Sequence, residues 1–246
     1  MPVIDLANPT RFLNVVNRVL PWLVAATLIL FVIGFYRVMN APDDYQQGAT
    51  VKIMFLHVPA AWLGMFGWGL MSVAALGTLV WRHPLADVAG KAAAPIGAAF
   101  TLICLVTGSL WGRPTWGTYW VWDARLTSML VLFLLYLGVL ALYWTAEDPG
   151  RGARAAAVLS LVGAVNLPVI KFSVDWWNTL HQPASVFRMG GSSIDPALLT
   201  PLLIMAVAFT LLFLTLHLAV MRNEILRRRV RSMRLQQAQK LAEASA

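Results

Sequence analysis

The sequence predicts an all-α integral membrane protein with six transmembrane helices. Of its 246 residues, 59% are hydrophobic and only 12% are charged, and the mean hydropathy is +0.68. A soluble domain carries charged residues at roughly a quarter of its positions, because its surface faces water. The apolar content exceeds what one soluble core of this size can bury, so lipid has to solvate much of the surface.

Six apolar segments are long enough to cross the hydrocarbon core, which takes about 20 helical residues. They lie at residues 20–39, 57–81, 94–111, 125–144, 155–174 and 197–221. In the fifth segment, we expect Pro168 to kink the helix and Asn166 to satisfy a freed backbone group. The segments predict one membrane domain, 1–221, and a basic tail, 222–246, that forms a helix along the inner membrane surface.

The basic residues place both termini in the cytoplasm. Counted over alternate connections, thirteen of the 19 Lys and Arg residues fall on the side of the termini and six on the other side. Basic residues beside membrane spans concentrate in the cytoplasm. Three connections, 40–56, 112–124 and 175–196, therefore face outward. Seven of the basic residues follow residue 221, which favours membrane lipid over nucleic acid as the partner of the positive charge.

Two features restrict the chemistry of the chain. The single cysteine, Cys104, lies in an apolar run, so it can form no intramolecular disulfide and belongs to no CxxC motif. The sequence contains no GxxxxGK[ST] motif, so any ATP hydrolysis has to come from a partner.

The second outward connection is rich in tryptophan. Four of the 11 tryptophans fall between Trp111 and Trp122 among glycine and proline, and two more lie in the third outward connection. A structural aromatic belt at the headgroup level is one interpretation. The density of rings favours another, an apolar platform for a large planar hydrophobic ligand. Its aromatic members are Trp111, Trp116, Tyr119, Trp120, Trp122, Trp176 and Trp177.

Two of the four histidines share the outward side with these rings. His57 begins the second apolar segment and His181 lies in the third outward connection, whereas His83 and His217 lie on the inner side. A lone histidine is more often a hydrogen-bonded structural residue. A pair beside an aromatic platform suits haem iron, which takes imidazole ligands on both faces of the porphyrin. Zinc is disfavoured, since no further Cys, Asp or Glu stands at ligand spacing.

Charged residues flank the tryptophans. Asp123 precedes the fourth segment, where an N-cap is the simpler interpretation. Arg113 and Arg125 are either interfacial cations or partners for carboxylates such as haem propionates. Weaker candidates for the same pairing are Lys52, Lys171 and Arg188.

The run from Gly108 to Thr127, GSLWGRPTWGTYWVWDARLT, resembles the tryptophan-rich WWD signature of haem-handling membrane proteins. Within that superfamily, the chain is similar to the cytochrome c maturation protein C family, also called haem exporter protein C. The likeness extends to the six spans, the chain length and both histidine positions, so it covers essentially the whole chain.

This resemblance implies a delivery subunit of cytochrome c maturation in the bacterial inner membrane, not an enzyme. Haem b would be held as cargo at the periplasmic face, between the tryptophan-rich segment and axial ligands that match His57 and His181. It would then pass to a membrane-tethered haem chaperone. The other implied partners are a small single-span subunit and the ATPase and permease subunits of an ABC transporter.

Two other functions remain open from the residues themselves. An electron carrier of the cytochrome b type also binds haem through histidine, but its ligands normally come from facing helices inside the bundle. A permease subunit with a structural tryptophan belt would bind no haem at all.

Overall fold

The structure is a computed structural model that describes residues 8–183 and 185–244, so residues 1–7 and 184 of the predicted membrane domain and 245–246 of the predicted tail lie outside the described residues. Within the described part, the only β pairing is an isolated bridge between Asp44 and Gly48. The helices are α1 (Pro9–Met39), a 3-10 helix (Ala49–Ile53), α2 (Met54–Leu79), α3 (Pro84–Trp116), α4 (Ala124–Thr145), α5 (Pro149–Gly163), α6 (Asn166–Trp176) and α7 (Pro196–Ala244). They make six passes long and apolar enough to cross a membrane, which confirms the predicted fold.

Small residues let the central helices approach closely. Tyr136 of α4 is fully buried, and its hydroxyl donates a 2.7 Å hydrogen bond to the backbone oxygen of Gly64 in α2. Its ring lies directly against Gly97 of α3. One turn further along the same face of α2, the buried Trp68 packs edge-on to Tyr136 and donates its indole N–H to the Ser160 carbonyl of α5 at 3.0 Å. Close backbone contact and interhelical hydrogen bonds are what hold helices together where lipid removes the hydrophobic driving force.

The fifth pass consists of two helices. α5 ends at Gly163 and α6 begins at Asn166, because Pro168 lacks an N–H for the carbonyl four residues earlier and its ring crowds that group. The predicted kink is therefore a complete break. Asn166 donates its side-chain amide to the Ser128 carbonyl of α4 at 2.8 Å. It joins α6 to a neighbouring helix, whereas the sequence led us to expect a bond to a group freed in α5.

Opposite the tryptophan-rich end of the bundle lies a basic end, where α7 is tied to α3. Glu224 accepts hydrogen bonds from Lys91 at 3.0 Å and Arg228 at 2.9 Å, and Arg228 also pairs with Asp87. Ile225 is buried in a small apolar cluster at this end. The basic tail continues α7 as far as Ala244, and its side-chain contacts with the bundle extend to Arg229, which donates to the Thr10 hydroxyl of α1 at 2.6 Å.

We predict that Gly97→Ala lowers stability. The added Cβ would overlap the rigid, buried ring of Tyr136, and overpacking of this kind costs about 1–3 kcal/mol. Thermal unfolding in detergent, followed by size-exclusion chromatography, measures the effect.

The matched control is Gly69→Ala in α2, where the nearest atom to the new Cβ is a Leu167 methyl group at 4.0 Å. It should unfold at or above the parent temperature, because alanine favours helix over glycine. Equal melting temperatures for the two variants would contradict the packing described for Tyr136.

Candidate functional site

The tryptophan-rich segment is half helix and half loop. The sequence predicted a connection over 112–124, but α3 continues to Trp116 and only 117–123 is non-helical. Gly112 does not end the helix, because it is buried beneath the Trp116 ring and supplies the space for it. Gly117 ends it instead, since its left-handed φ of 79° turns the chain and its N–H bonds back to the Arg113 carbonyl.

His57 lies in the first turn of α2 with its ring packed on Gly108 of α3. Its Nδ1 is 3.1 Å from both the Cys104 carbonyl oxygen and the Thr107 hydroxyl oxygen. Thr107 donates its own proton to the Ile103 carbonyl at 2.6 Å, and a carbonyl can only accept. The proton of His57 is therefore on Nδ1, which leaves the lone pair on Nε2 available for a metal.

His181 lies in the loop 177–195 between α6 and α7, at the same end of the bundle. Its Nδ1 is 3.2 Å from Oδ2 of Asp123, and the ring contacts Trp116 with centroids 4.8 Å apart. The carboxylate accepts, so this imidazole also carries its proton on Nδ1 and its lone pair on Nε2. Burial lowers the pKa of His181, and the opposing effect of Asp123 is smaller, so the ring is neutral at pH 7 as a metal ligand requires.

Both imidazoles lie beside the last turns of α3, where His57 contacts Trp111 and His181 contacts Trp116. The other histidines are elsewhere: His83 precedes α3 at the basic end, and His217 is buried in the bundle, stacked on Phe213. In the part of the chain that the structure describes, no group of three His, Cys, Asp or Glu side chains could hold a metal ion. The site therefore offers two imidazole donors and no protein ligand set for a bare ion.

The tryptophans form three groups and not the single flat platform that the sequence suggested. Trp111 packs edge-on to His57 at 5.7 Å and Trp116 packs edge-on to His181, so these two belong with the histidines. Trp120 and Trp122 contact each other at 5.4 Å and 78°. The third group consists of Trp176 at the end of α6 and Trp177 in the following connection, whose exposed rings contact each other.

Trp120, Trp122 and Tyr119 line a separate apolar cleft of about 520 Å³ between α3 and α4. Its α3 residues, among them Leu105 and Ser109, face roughly half a turn away from those that contact His57.

Three of the five candidate cations make contacts within the protein. Arg125 donates from Nε to the Ser173 hydroxyl at 3.2 Å and from Nη2 to the Ile170 and Lys171 carbonyls at 3.4 and 3.3 Å, so it clamps α4 to the end of α6. Arg113 bonds the Gly117 carbonyl at the end of its own helix and lies over the Tyr119 ring. Lys52 pairs with Asp43 at 3.5 Å. Lys171 and Arg188 are exposed.

Three contributors were missed from the sequence. Thr107 and the Cys104 carbonyl orient His57, and Gln47 accepts the Trp111 indole N–H at 2.7 Å. The 3–4-residue spacing of Cys104, Thr107 and Trp111 put them on one face of α3. Nothing in the sequence said that His57 would lie against that face.

Comparison with known proteins shows the family to which the chain belongs. The family model described as heme exporter protein C matches residues 2–236. The chain belongs to the heme exporter protein C family. Its relatives of that name include a protein from Bradyrhizobium diazoefficiens, 74% identical over 100% of this chain and 93% of the relative. Others come from Escherichia coli K12, 50% identical over 90% of each chain, and Paracoccus denitrificans, 46% identical over 94% of this chain and 96% of the relative.

We predict that Arg125→Met loosens the histidine-bearing loop of this family member. The variant removes charged hydrogen bonds to the end of α6, each worth about 1.5–3 kcal/mol where it is well formed. Amide hydrogen exchange across α6 and 177–195 should accelerate roughly tenfold.

Arg151→Met is the matched control, because Arg151 is 85% exposed and makes only a 3.8 Å ion pair with Asp148 at the basic end. A surface pair of this kind contributes little, so exchange should not change. Parent-like exchange in Arg125→Met would show that the clamp is unimportant for the loop.

Proposed function

We propose that the chain binds haem at the tryptophan-rich end, with the iron between Nε2 of His57 and Nε2 of His181, and presents it for cytochrome c maturation. The observation that carries this proposal is that the two histidines have the same tautomer. Both donate Nδ1–H into the protein, and both keep an Nε2 lone pair at the same end of the bundle. A hydrogen bond from the ring nitrogen that does not bind the metal orients an imidazole and fixes its tautomer for metal binding.

The chemistry of the donor set fits haem better than a bare metal ion. Two neutral imidazoles suffice for an iron that already has four porphyrin nitrogens, whereas zinc needs four ligands or three and a water. Trp111 and Trp116 pack on the two imidazoles and would supply apolar contacts to the porphyrin. Haem bound in this way is the cargo, which the chain holds and orients.

The remaining aromatics and cations have secondary roles in this proposal. Trp120, Trp122 and Tyr119 form the other side of the segment, and the exposed Trp176 and Trp177 border the loop that carries His181. Arg113 is the stronger candidate for a haem propionate, because its guanidinium is exposed at this end. Arg125 instead holds α4 against α6 and offsets the nearby negative charge of Asp123.

The proposed location of the site and its proposed partners follow from the family and from the distribution of charge. The relatives are named for heme export, and the basic end of α7 belongs in the cytoplasm by the distribution of Lys and Arg. The site then faces the periplasm of a bacterial inner membrane. Haem would pass from it to a membrane-tethered chaperone, within a complex containing a single-span subunit and ABC transporter subunits that hydrolyse ATP. The chain itself would deliver haem without catalysing a reaction.

We predict that His57→Ala and His181→Ala each abolish the low-spin optical spectrum of haem-loaded protein, because each removes one axial nitrogen. Haem content of the purified double variant should fall to the level of nonspecific binding. Difference spectra of detergent-solubilised protein titrated with hemin provide both values.

His83→Ala is the control, since His83 lies at the basic end and its side chain makes no helix-capping bond. It should bind haem as the parent does. A double variant of His57 and His181 with parental haem content and spectrum would refute the ligand assignment. A parent chain that binds no haem when haem is supplied would favour a permease subunit with a structural aromatic belt.

A further inference from the structure

The Asp123 carboxylate makes two separate contacts. Oδ1 accepts the Leu126 N–H at 2.8 Å and so caps the first turn of α4. Oδ2 accepts from His181 at 3.2 Å. The side chain is only 5% exposed, so neither oxygen is freely solvated. A helix cap alone requires one side-chain oxygen, and the second oxygen is committed to the histidine.

The two site histidines therefore have unequal partners. His57 donates to a neutral carbonyl and a neutral hydroxyl, whereas His181 donates to a carboxylate. A hydrogen bond to an ionised acceptor is roughly twice as strong as a neutral one. It also raises the basicity of the ligating nitrogen, because it draws the Nδ1 proton away from the ring.

We propose that Asp123 is a positioning residue that makes His181 the stronger electron donor of the two axial ligands. This inference rests on the proposed function. Asp123 fixes the Nδ1–H tautomer, holds the ring against Trp116, and couples a loop residue to the first turn of a membrane-spanning helix. His57 needs no such partner, because its backbone is already fixed in α2 and its ring is enclosed against Gly108.

The charge of Asp123 is compensated within the site. The Arg125 guanidinium interacts with it electrostatically while bonding the end of α6, so the buried carboxylate is not an isolated ion. Asp148, which caps α5 through Gly150 N–H at 2.8 Å, has the same capping role at the opposite end of the bundle. Its second oxygen meets only the exposed Arg151, which makes it a natural comparison.

The test is Asp123→Ser in full-length protein in detergent, loaded with hemin. Serine caps a helix about as well as aspartate but cannot reach His181. We expect normal helix content by circular dichroism, a higher haem reduction potential because a weaker donor favours ferrous iron, and haem affinity lowered roughly 10- to 100-fold. Asp148→Ser should match the parent in potential and affinity. Thr107→Val should shift the potential less than Asp123→Ser, since the Cys104 carbonyl still accepts from His57.

A double variant separates this inference from the proposed function. In the His181→Ala background, Asp123→Ser should produce no further change in potential, because the histidine through which it acts is gone. A parental potential in Asp123→Ser, with a clear effect of His181→Ala, overturns the role of Asp123 alone. A parental spectrum in His181→Ala overturns the ligand assignment itself.

Asp123→Asn provides a second variant if Asp123→Ser loses helix content. Asparagine has one acceptor oxygen, which can serve the cap or the histidine but not both. The same rise in potential is expected, and an unchanged potential contradicts the proposal.

Discussion

The Nδ1–H groups of His57 and His181 donate into the protein, and the arrangement of the tryptophan-rich end depends on these two bonds. The first joins the start of α2 to α3, through Cys104 and Thr107. The second joins the loop 177–195 to the start of α4, through Asp123. Four parts of the chain thus meet around two imidazoles, each with its remaining nitrogen left for a ligand. Arg125 completes this end by fixing α6, from which the loop emerges.

The rest of the bundle keeps this end rigid. Tyr136 locks α4 against α2 and α3 at positions where only glycine fits, and the Trp68 bond holds α5 to α2. At the basic end, Glu224 and its cations fix α7 to α3. Of the two proposed haem ligands, His57 therefore lies in a packed helix, and His181 lies in a connection that Asp123 ties to α4.

Much of this structure was predictable from the sequence because lipid permits few alternatives. An apolar run of about 20 residues has to be helical to satisfy its backbone, so the six spans follow from composition. The prediction that His57 and His181 share one side of the membrane rests on the count of basic residues. The prediction that they act as a pair rests on that side and on the tryptophans that lie between them in the sequence.

The features of the site that could not be predicted from the sequence depend on how the helices pack. The partner of His57 is the main-chain carbonyl of Cys104, which no side chain identifies. Gly112 looked like a loop residue, but it lies within α3 beneath the Trp116 ring, and Trp120 and Trp122 line a separate cleft. Asp123 was correctly expected to cap α4, yet its second contact required a loop residue 58 positions later in the chain.

The most direct measurement is an experimental structure of the haem-loaded chain in a lipid nanodisc. We predict haem at the tryptophan-rich end, with its iron bonded to Nε2 of His57 and Nε2 of His181 and with Asp123 still bonded to Nδ1 of His181. Haem in the cleft between α3 and α4, or iron bonded to His217 or to a single histidine, would contradict it.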